Sequence, residues 1–137
     1  MNTQLQRARY VQDAIVTATP ARLLTMLYDR LVRDLRGAEL AIMAGDHDEV
    51  NSLLIHAQDI VLELQSTLNL DAWSGARGLN ELYSFVYSEL IQANIRKDER
   101  RVDVCLNIIE PLQAAWHEAA LQLAGTAGKP TGGVRVA

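Results

Sequence analysis

Apolar residues recur at intervals of three and four positions through most of the chain, with polar residues between them. This spacing matches the period of the α-helix and is typical of helices that bury one face. The sequence does not show the period-two alternation of apolar and polar residues that would predict strands. The pattern therefore predicts an all-α protein.

Helix-boundary signals divide the periodic region into four predicted helices. Thr19 followed by Pro20 suits a helix start, because proline lacks only an N–H that would have no partner there. Gly45 ends that helix, and Asp46 with Glu49 has the capping-box spacing that starts the next one. The predicted helices span residues 20–44, 46–70, 76–97 and 98–124. Short connections between helices of this length predict an antiparallel up-down-up-down four-helix bundle.

The predicted bundle forms one domain over residues 19–124. Residues 1–18 are expected to form a partly ordered N-terminal segment. Residues 125–137 are rich in Gly, Thr and Pro without apolar periodicity, which predicts a disordered tail. Within the bundle, the inward-facing stripes are predicted to include Leu82 on the third helix and Leu123 on the fourth.

Composition narrows the range of partners and compartments. The 137 residues are 49% hydrophobic, enough for one core, and the net charge of -4 argues against nucleic acid as the main partner. Cys105 is the only cysteine, so the chain cannot form an internal disulfide, which fits a reducing compartment. No apolar run has the length of a membrane span or the features of a secretory signal. We therefore expect a cytoplasmic protein that does not insert into membranes.

The sequence contains no convincing catalytic or metal-binding pattern. Di-metal sites in helical bundles use a carboxylate three residues before each histidine. The residues in those positions here are Ala44, Leu53 and Ala114. Cys105 lies on the predicted inner stripe, where a cysteine behaves as a small apolar residue rather than a nucleophile. We expect a protein that is not an enzyme and needs no cofactor.

His56 provides the alternative interpretation, a histidine phosphotransfer domain, which is also a helical bundle. It is predicted to lie on the solvent side of the second helix. A phosphoryl group on it would need a nearby cation, but the next four residues are Ala57, Gln58, Asp59 and Ile60. Asp59 would repel phosphate, so this alternative is weaker than a binding function.

The second and third helices carry more apolar residues than their inner stripes need. The surplus residues are Ile55 and Leu62 on the second helix and Tyr87, Ile91 and Ile95 on the third. Helices that are apolar on two faces are buried on both or present one to a partner. Because the two helices are consecutive, these residues can line one outer groove for an amphipathic helix or for a second copy of the chain. They can also simply widen the core, or be covered by the N-terminal segment.

Particular residues give the chain a family resemblance. They lie in order from Tyr10 to about Leu123, and they are Tyr10, Thr17-Ala18-Thr19-Pro20, Met26-Leu27-Tyr28-Asp29, Ala57-Gln58-Asp59-Ile60, Leu68-Asn69, Leu82-Tyr83, Tyr87, Leu90-Ile91, Ala93-Asn94-Ile95, Asp98 and Trp116. In this set the chain resembles the FliS family of flagellar secretion chaperones, which hold newly made flagellin before export.

The resemblance implies a monomeric bundle that binds the disordered C-terminal segment of flagellin in apolar grooves and prevents premature polymerisation before type III secretion. It implies that the N-terminal segment around Tyr10 covers part of a groove until cargo displaces it. The expected partner-binding residues are Tyr10, Ile55, Leu62, Tyr87, Ile91 and Ile95. The flagellar export gate and a co-chaperone are further candidate partners. A phosphotransfer bundle using His56 and a self-associating helical protein remain the alternatives.

Overall fold

The computed structural model of the protein describes Gln6 and residues 19–128. Four helices account for most of this region: α1 Pro20–Ala44, α2 His47–Thr67, α3 Ala76–Arg96 and α4 Glu99–Gly128. Residues 19–128 contain no strand, so the all-α prediction is confirmed. Tyr10 and most of the predicted N-terminal segment lie outside the described residues.

The predicted capping residues start α1 and α2 and end α1 where the sequence placed them. The end of α2 differs, since the helix stops at Thr67, short of its predicted end near Leu70. Thr19 Oγ1 accepts a hydrogen bond from the Arg22 backbone N–H at 3.1 Å, and Asp46 Oδ1 accepts one from the Glu49 N–H at 3.2 Å. Each oxygen satisfies a backbone donor that the first helical turn leaves free. Gly45 ends α1 with φ 71°, a left-handed conformation that costs glycine little. The turn between α1 and α2 is therefore short and reverses the chain.

The four helices form a closed ring of neighbours. In chain order each helix packs against the next, and α4 returns to pack against α1. Short connections make successive helices antiparallel, so this packing is the predicted up-down-up-down four-helix bundle. Gly37 allows close approach at the α1–α2 contact, since a Cβ there would lie 3.1 Å from a methyl carbon of Leu53.

The core runs the length of the bundle and draws on every helix. Its largest fully buried side chains are Tyr28, Leu31, Leu35, Val50, Leu54, Val61, Leu64, Tyr83, Val86, Leu90, Val102 and Ile109. Each such aliphatic side chain stabilises the fold by about 1.5–3 kcal/mol relative to exposure. The hydroxyls of Tyr28 and Tyr83 meet at 2.6 Å inside the core, and burial raises the pKa of both. This pair therefore stays neutral and joins α1 to α3 across the bundle.

Two predicted core positions are wrong. Leu82 is 39% exposed and Leu123 is 60% exposed. On α3 the buried series runs from Leu79 to Tyr83 and then to Val86, so Leu82 falls one position to the side of the stripe. Leu123 lies beyond the last core residue that α4 contributes, Ile109, with Trp116 only partly buried between them.

The end of α4 also differs from the prediction. The helix continues to Gly128, four residues past the predicted end at residue 124. Ala119 to Ala124 are mostly strong helix formers, and a glycine inside a helix costs only about 1 kcal/mol. Gly125 does not adopt the left-handed conformation that stops α1 at Gly45. The rest of the predicted tail lies outside the described residues.

Candidate partner-binding surface

Amide side chains fix how α2 and α3 lie along each other. Asn94 Nδ2 donates a hydrogen bond to Asn51 Oδ1 at 2.8 Å. At the other end of the pair, Gln65 Nε2 donates to Asn80 Oδ1 at 3.1 Å and to Ser84 Oγ at 2.9 Å. Because the helices are antiparallel, this register brings Ile55 level with Ile91 and Leu62 level with Ser84.

The surplus apolar residues of these two helices lie immediately beside the core stripe. Each of four follows a buried residue in the sequence: Ile55 follows Leu54, Leu62 follows Val61, Tyr87 follows Val86, and Ile91 follows Leu90. One step along a helix turns the side chain by about 100°, which moves it from the core to the flank. We call the surface formed by Ile55, Leu62, Tyr87 and Ile91 the α2–α3 groove.

The groove residues combine support from the core with exposure to solvent. Ile55 is 46% exposed and Leu62 is 44% exposed. Tyr87 is half-buried and packs against the core, and Ile91 is also half-buried. Apolar area held in place by a packed interior can be covered by a partner with little cost in side-chain ordering. The arrangement is suited to binding an apolar helix face rather than to catalysis.

Ile95 lies at the edge of this surface. It is 70% exposed and comes one helical turn after Ile91. It stands two positions after the buried Ala93, so its side chain points away from the core. The structure therefore brings four of the predicted residues to one groove, leaves Ile95 at its rim, and does not describe Tyr10.

A pocket at one end of the bundle was not predicted. It has a volume of about 360 Å³ and lies between the first turns of α1, the loop after α2, and α4. Leu24, Leu27, Leu68, Trp73 and Trp116 are among its lining residues. Trp73, which is 51% exposed in the loop between α2 and α3, was the signal in the sequence that could have indicated it.

The groups that could support catalysis have structural partners instead. Cys105 is fully buried, its thiol donates to the Val86 carbonyl at 3.9 Å, and burial with the nearby Glu89 charge raises its pKa to about 12. The thiol is therefore protonated and a poor nucleophile. Among residues 19–128 no group of three or more metal-binding side chains comes together. No helix in that region is long and apolar enough to cross a membrane.

His56 takes part in a contact that the sequence analysis missed. Its Nδ1 hydrogen bonds with the carboxylate of Asp34 on α1, which is buried. The sequence analysis did not identify Asp34, because a buried position beside Leu35 is usually occupied by an apolar residue. The hydrogen bond to His56 explains why an aspartate is buried there. The pair links α1 to α2, and His56 thus has a structural role.

A family model described as FliS, flagellar protein FliS, matches residues 1–123 of this sequence. The chain belongs to the FliS family. The flagellar secretion chaperone FliS of Bacillus subtilis is 34% identical over 110 residues, covering 80% of this chain and 82% of the relative. The FliS chaperone of Salmonella typhimurium is 29% identical over 111 residues, covering 79% and 82% respectively.

A solved structure agrees with the FliS assignment at the level of the fold. It is described as the crystal structure of a flagellar chaperone from bacteria. It superposes with a TM-score of 0.69 at 20% identity, covering 86% of this chain and 97% of the other. FliS is a family of chaperones rather than enzymes, so the phosphotransfer alternative is excluded and the prediction that this chain is not an enzyme is confirmed.

Proposed function

We propose that this FliS chain binds the disordered C-terminal segment of flagellin in the α2–α3 groove. In this role it keeps flagellin from polymerising in the cytoplasm until type III flagellar secretion. The observation that carries the proposal is the apolar groove itself. Ile55 and Leu62 remain about half exposed although they adjoin a fully packed core.

The chemistry of the groove fits a helix that forms on binding. Its apolar residues stand at spacings of seven and four, so a partner helix can match them with an apolar stripe. A disordered segment that folds on the chaperone loses conformational entropy, which moderates its affinity. Moderate affinity suits a cargo that must be covered and later released for export.

The same proposal includes the N-terminal segment as a cover for the groove. Tyr10 covers part of the groove in the free protein and is displaced when cargo binds, as the family resemblance implies. Tyr10 is therefore proposed as a partner-binding residue together with Ile55, Leu62, Tyr87, Ile91 and Ile95. The export gate and a co-chaperone are candidates for docking once cargo is in place.

Titration calorimetry tests this function directly. The full chain is titrated with a peptide covering about the last 40 residues of a flagellin from the same cell, and circular dichroism follows the helix content. We expect saturable one-to-one binding with a gain of helix by the peptide. Absence of heat, together with no complex on a sizing column, would contradict the proposal and leave only the fold and family.

A further inference from the structure

A second groove lies on the neighbouring seam of the bundle, between α1 and α2. It has a volume of about 560 Å³, and we call it the α1–α2 groove. Leu23, Met26 and Ile60 give it an apolar floor. Ile60 is buried and the other two are half-buried, so the floor is held by the core as it is in the α2–α3 groove.

The rim of this groove is basic in a protein whose net charge is -4. Arg22, Arg30 and Arg33 of α1 line it, and all three are exposed. Arg30 and Arg33 make no ion pair within residues 19–128. Two long cationic side chains therefore stand beside apolar surface with no acidic partner on the described part of the chain.

The lining holds three arginines and two carboxylates, so the arginines remain in excess. Asp29 is already occupied, since it accepts hydrogen bonds from Gln113 Nε2 at 2.9 Å and His117 Nε2 at 2.6 Å. Glu63 is the other carboxylate that lines the groove. His56 also lines it, held by the hydrogen bond from its Nδ1 to Asp34, which leaves Nε2 available for a further hydrogen bond.

From this combination we propose that the α1–α2 groove binds an amphipathic helix of a second partner protein, with acidic residues flanking its apolar stripe. The lining residues from Arg22 to Arg33 span about 16 Å of α1, enough for about three turns of a bound helix. An apolar stripe would cover the floor, and acidic flanks would meet the free guanidinium groups. The proposal concerns a surface outside the α2–α3 groove.

Charge argues against the chain's own N-terminal segment as the occupant. Residues 1–18 carry Arg7 and Arg9 but only one acidic residue, Asp13. A segment with net positive charge is a poor match for a rim of arginines, because like charges at this distance repel. The occupant with complementary charge is therefore an acidic helix from another protein.

The test compares two designed peptides on the full chain. Each has about 18 residues, or about five helical turns, with a leucine stripe flanked by glutamate in one and by lysine in the other. Fluorescence anisotropy is expected to show the glutamate peptide binding at least about tenfold more tightly at low salt, with the difference shrinking as salt screens the charges. Equal binding of the two peptides, or no binding of either, would overturn the proposal.

A pair of matched double variants locates the site. R30E/R33E reverses the free arginines of the rim, whereas R96E/R100E makes the same charge change at exposed positions elsewhere. The first double variant is expected to lower the affinity for the glutamate peptide by at least about tenfold, and the second by less than about threefold. Equal loss in both would mean that only net charge matters, which would overturn the assignment to this groove.

Three further readouts separate the alternatives. Both double variants should keep the binding of the flagellin peptide, so a failure here is distinct from a failure of the proposed cargo function. Binding of the glutamate peptide that appears only after deletion of residues 1–18 would reject the proposal in favour of the chain's own segment. Dimers in sedimentation that R30E/R33E abolishes would reject it in favour of a second copy.

Discussion

The α1–α4 seam and the α2–α3 seam are both contacts between neighbouring helices of the bundle, but their outer sides differ in chemistry. Across the first, Arg36 pairs with Glu110, and Asp29 accepts hydrogen bonds from Gln113 and His117. Across the second, amide hydrogen bonds at two levels leave isoleucine, leucine and tyrosine side chains between and beside them.

This difference distinguishes polar contacts between two helices from apolar surface that is available to a partner. Ion pairs at exposed positions contribute little to stability, with typical values of about 0–1 kcal/mol. They do make the surface polar, which disfavours an apolar partner. An apolar seam instead favours an apolar partner. Its residues add little to the core, and covering their apolar area is favourable in free energy. The seams thus differ in surface chemistry, and we propose that, of the two, only the α2–α3 seam binds a partner.

The largest expected effect tests the boundary between core and groove on α3. Leu90 is fully buried and Ile91, its neighbour, is half-buried. Leu90→Ala should lower the free energy of unfolding by about 2–5 kcal/mol, because it leaves a cavity. Ile91→Ala should cost only about 1 kcal/mol, because partly exposed methyl groups are removed. Urea unfolding of the two variants measures both values.

The two α3 variants serve as controls for each other, since each shortens a similar side chain on the same helix. Equal losses of stability would contradict the comparison. They would mean that Ile91 belongs to the core and that the α2–α3 groove is a continuation of the packed interior. Binding studies on groove variants would then have to be read as effects of unfolding.

The smallest expected effects concern pH and the α1–α4 seam. Partial burial acts to raise the pKa of Asp29. Hydrogen bonds from His117 and Gln113, together with the charges of His117 and Arg22, outweigh it, so the pKa lies below the ordinary 3.8. The stabilisation from Asp29 is therefore complete above its unfolded-state pKa and is lost as the pH falls through the lower folded-state value. Asp29→Asn should lose less stability than the wild type on acidification, measured by urea unfolding at several pH values.

Glu39 on the same seam provides a control of opposite sign. Burial, with the nearby charges of Asp103 and Glu99, raises the pKa of Glu39. A raised folded-state pKa contributes stability at low pH that is lost as the pH rises through it. Glu39→Gln should therefore gain stability relative to the wild type near neutral pH, whereas Asp29→Asn should lose it. Shifts of the same sign in both variants would contradict this description of the seam.

Much of the fold follows from local sequence signals, whereas the site follows only in part. The start of α1 at Pro20 and its end before Gly45 were predicted to the residue, because capping and glycine conformations are local properties. Leu82 was misplaced because Leu82 and Tyr83 lie three and four residues after Leu79, and both spacings keep a residue near the inner stripe. Only the packing shows that Tyr83 is the buried one.

The contacts that the sequence analysis missed join distant parts of the chain. The pairing of Asp34 with His56 and the basic rim formed by Arg30 and Arg33 beside His56 depend on how α1 and α2 align. Local sequence patterns do not indicate how two helices lie along each other. The surplus apolar residues of α2 and α3 were identified because helical spacing alone shows that they lie off the inner stripe.

Calorimetric titration of the flagellin C-terminal peptide into Ile91→Asp and a matched variant tests whether flagellin binds in the α2–α3 groove. Leu40→Asp is the match, since Leu40 is 68% exposed on α1, away from the α2–α3 groove. We expect Ile91→Asp to weaken binding by at least about tenfold, or about 1.4 kcal/mol, and Leu40→Asp to bind as the wild type does. Circular dichroism should show both variants folded. Unchanged affinity in a folded Ile91→Asp variant would contradict the assignment of flagellin to this groove.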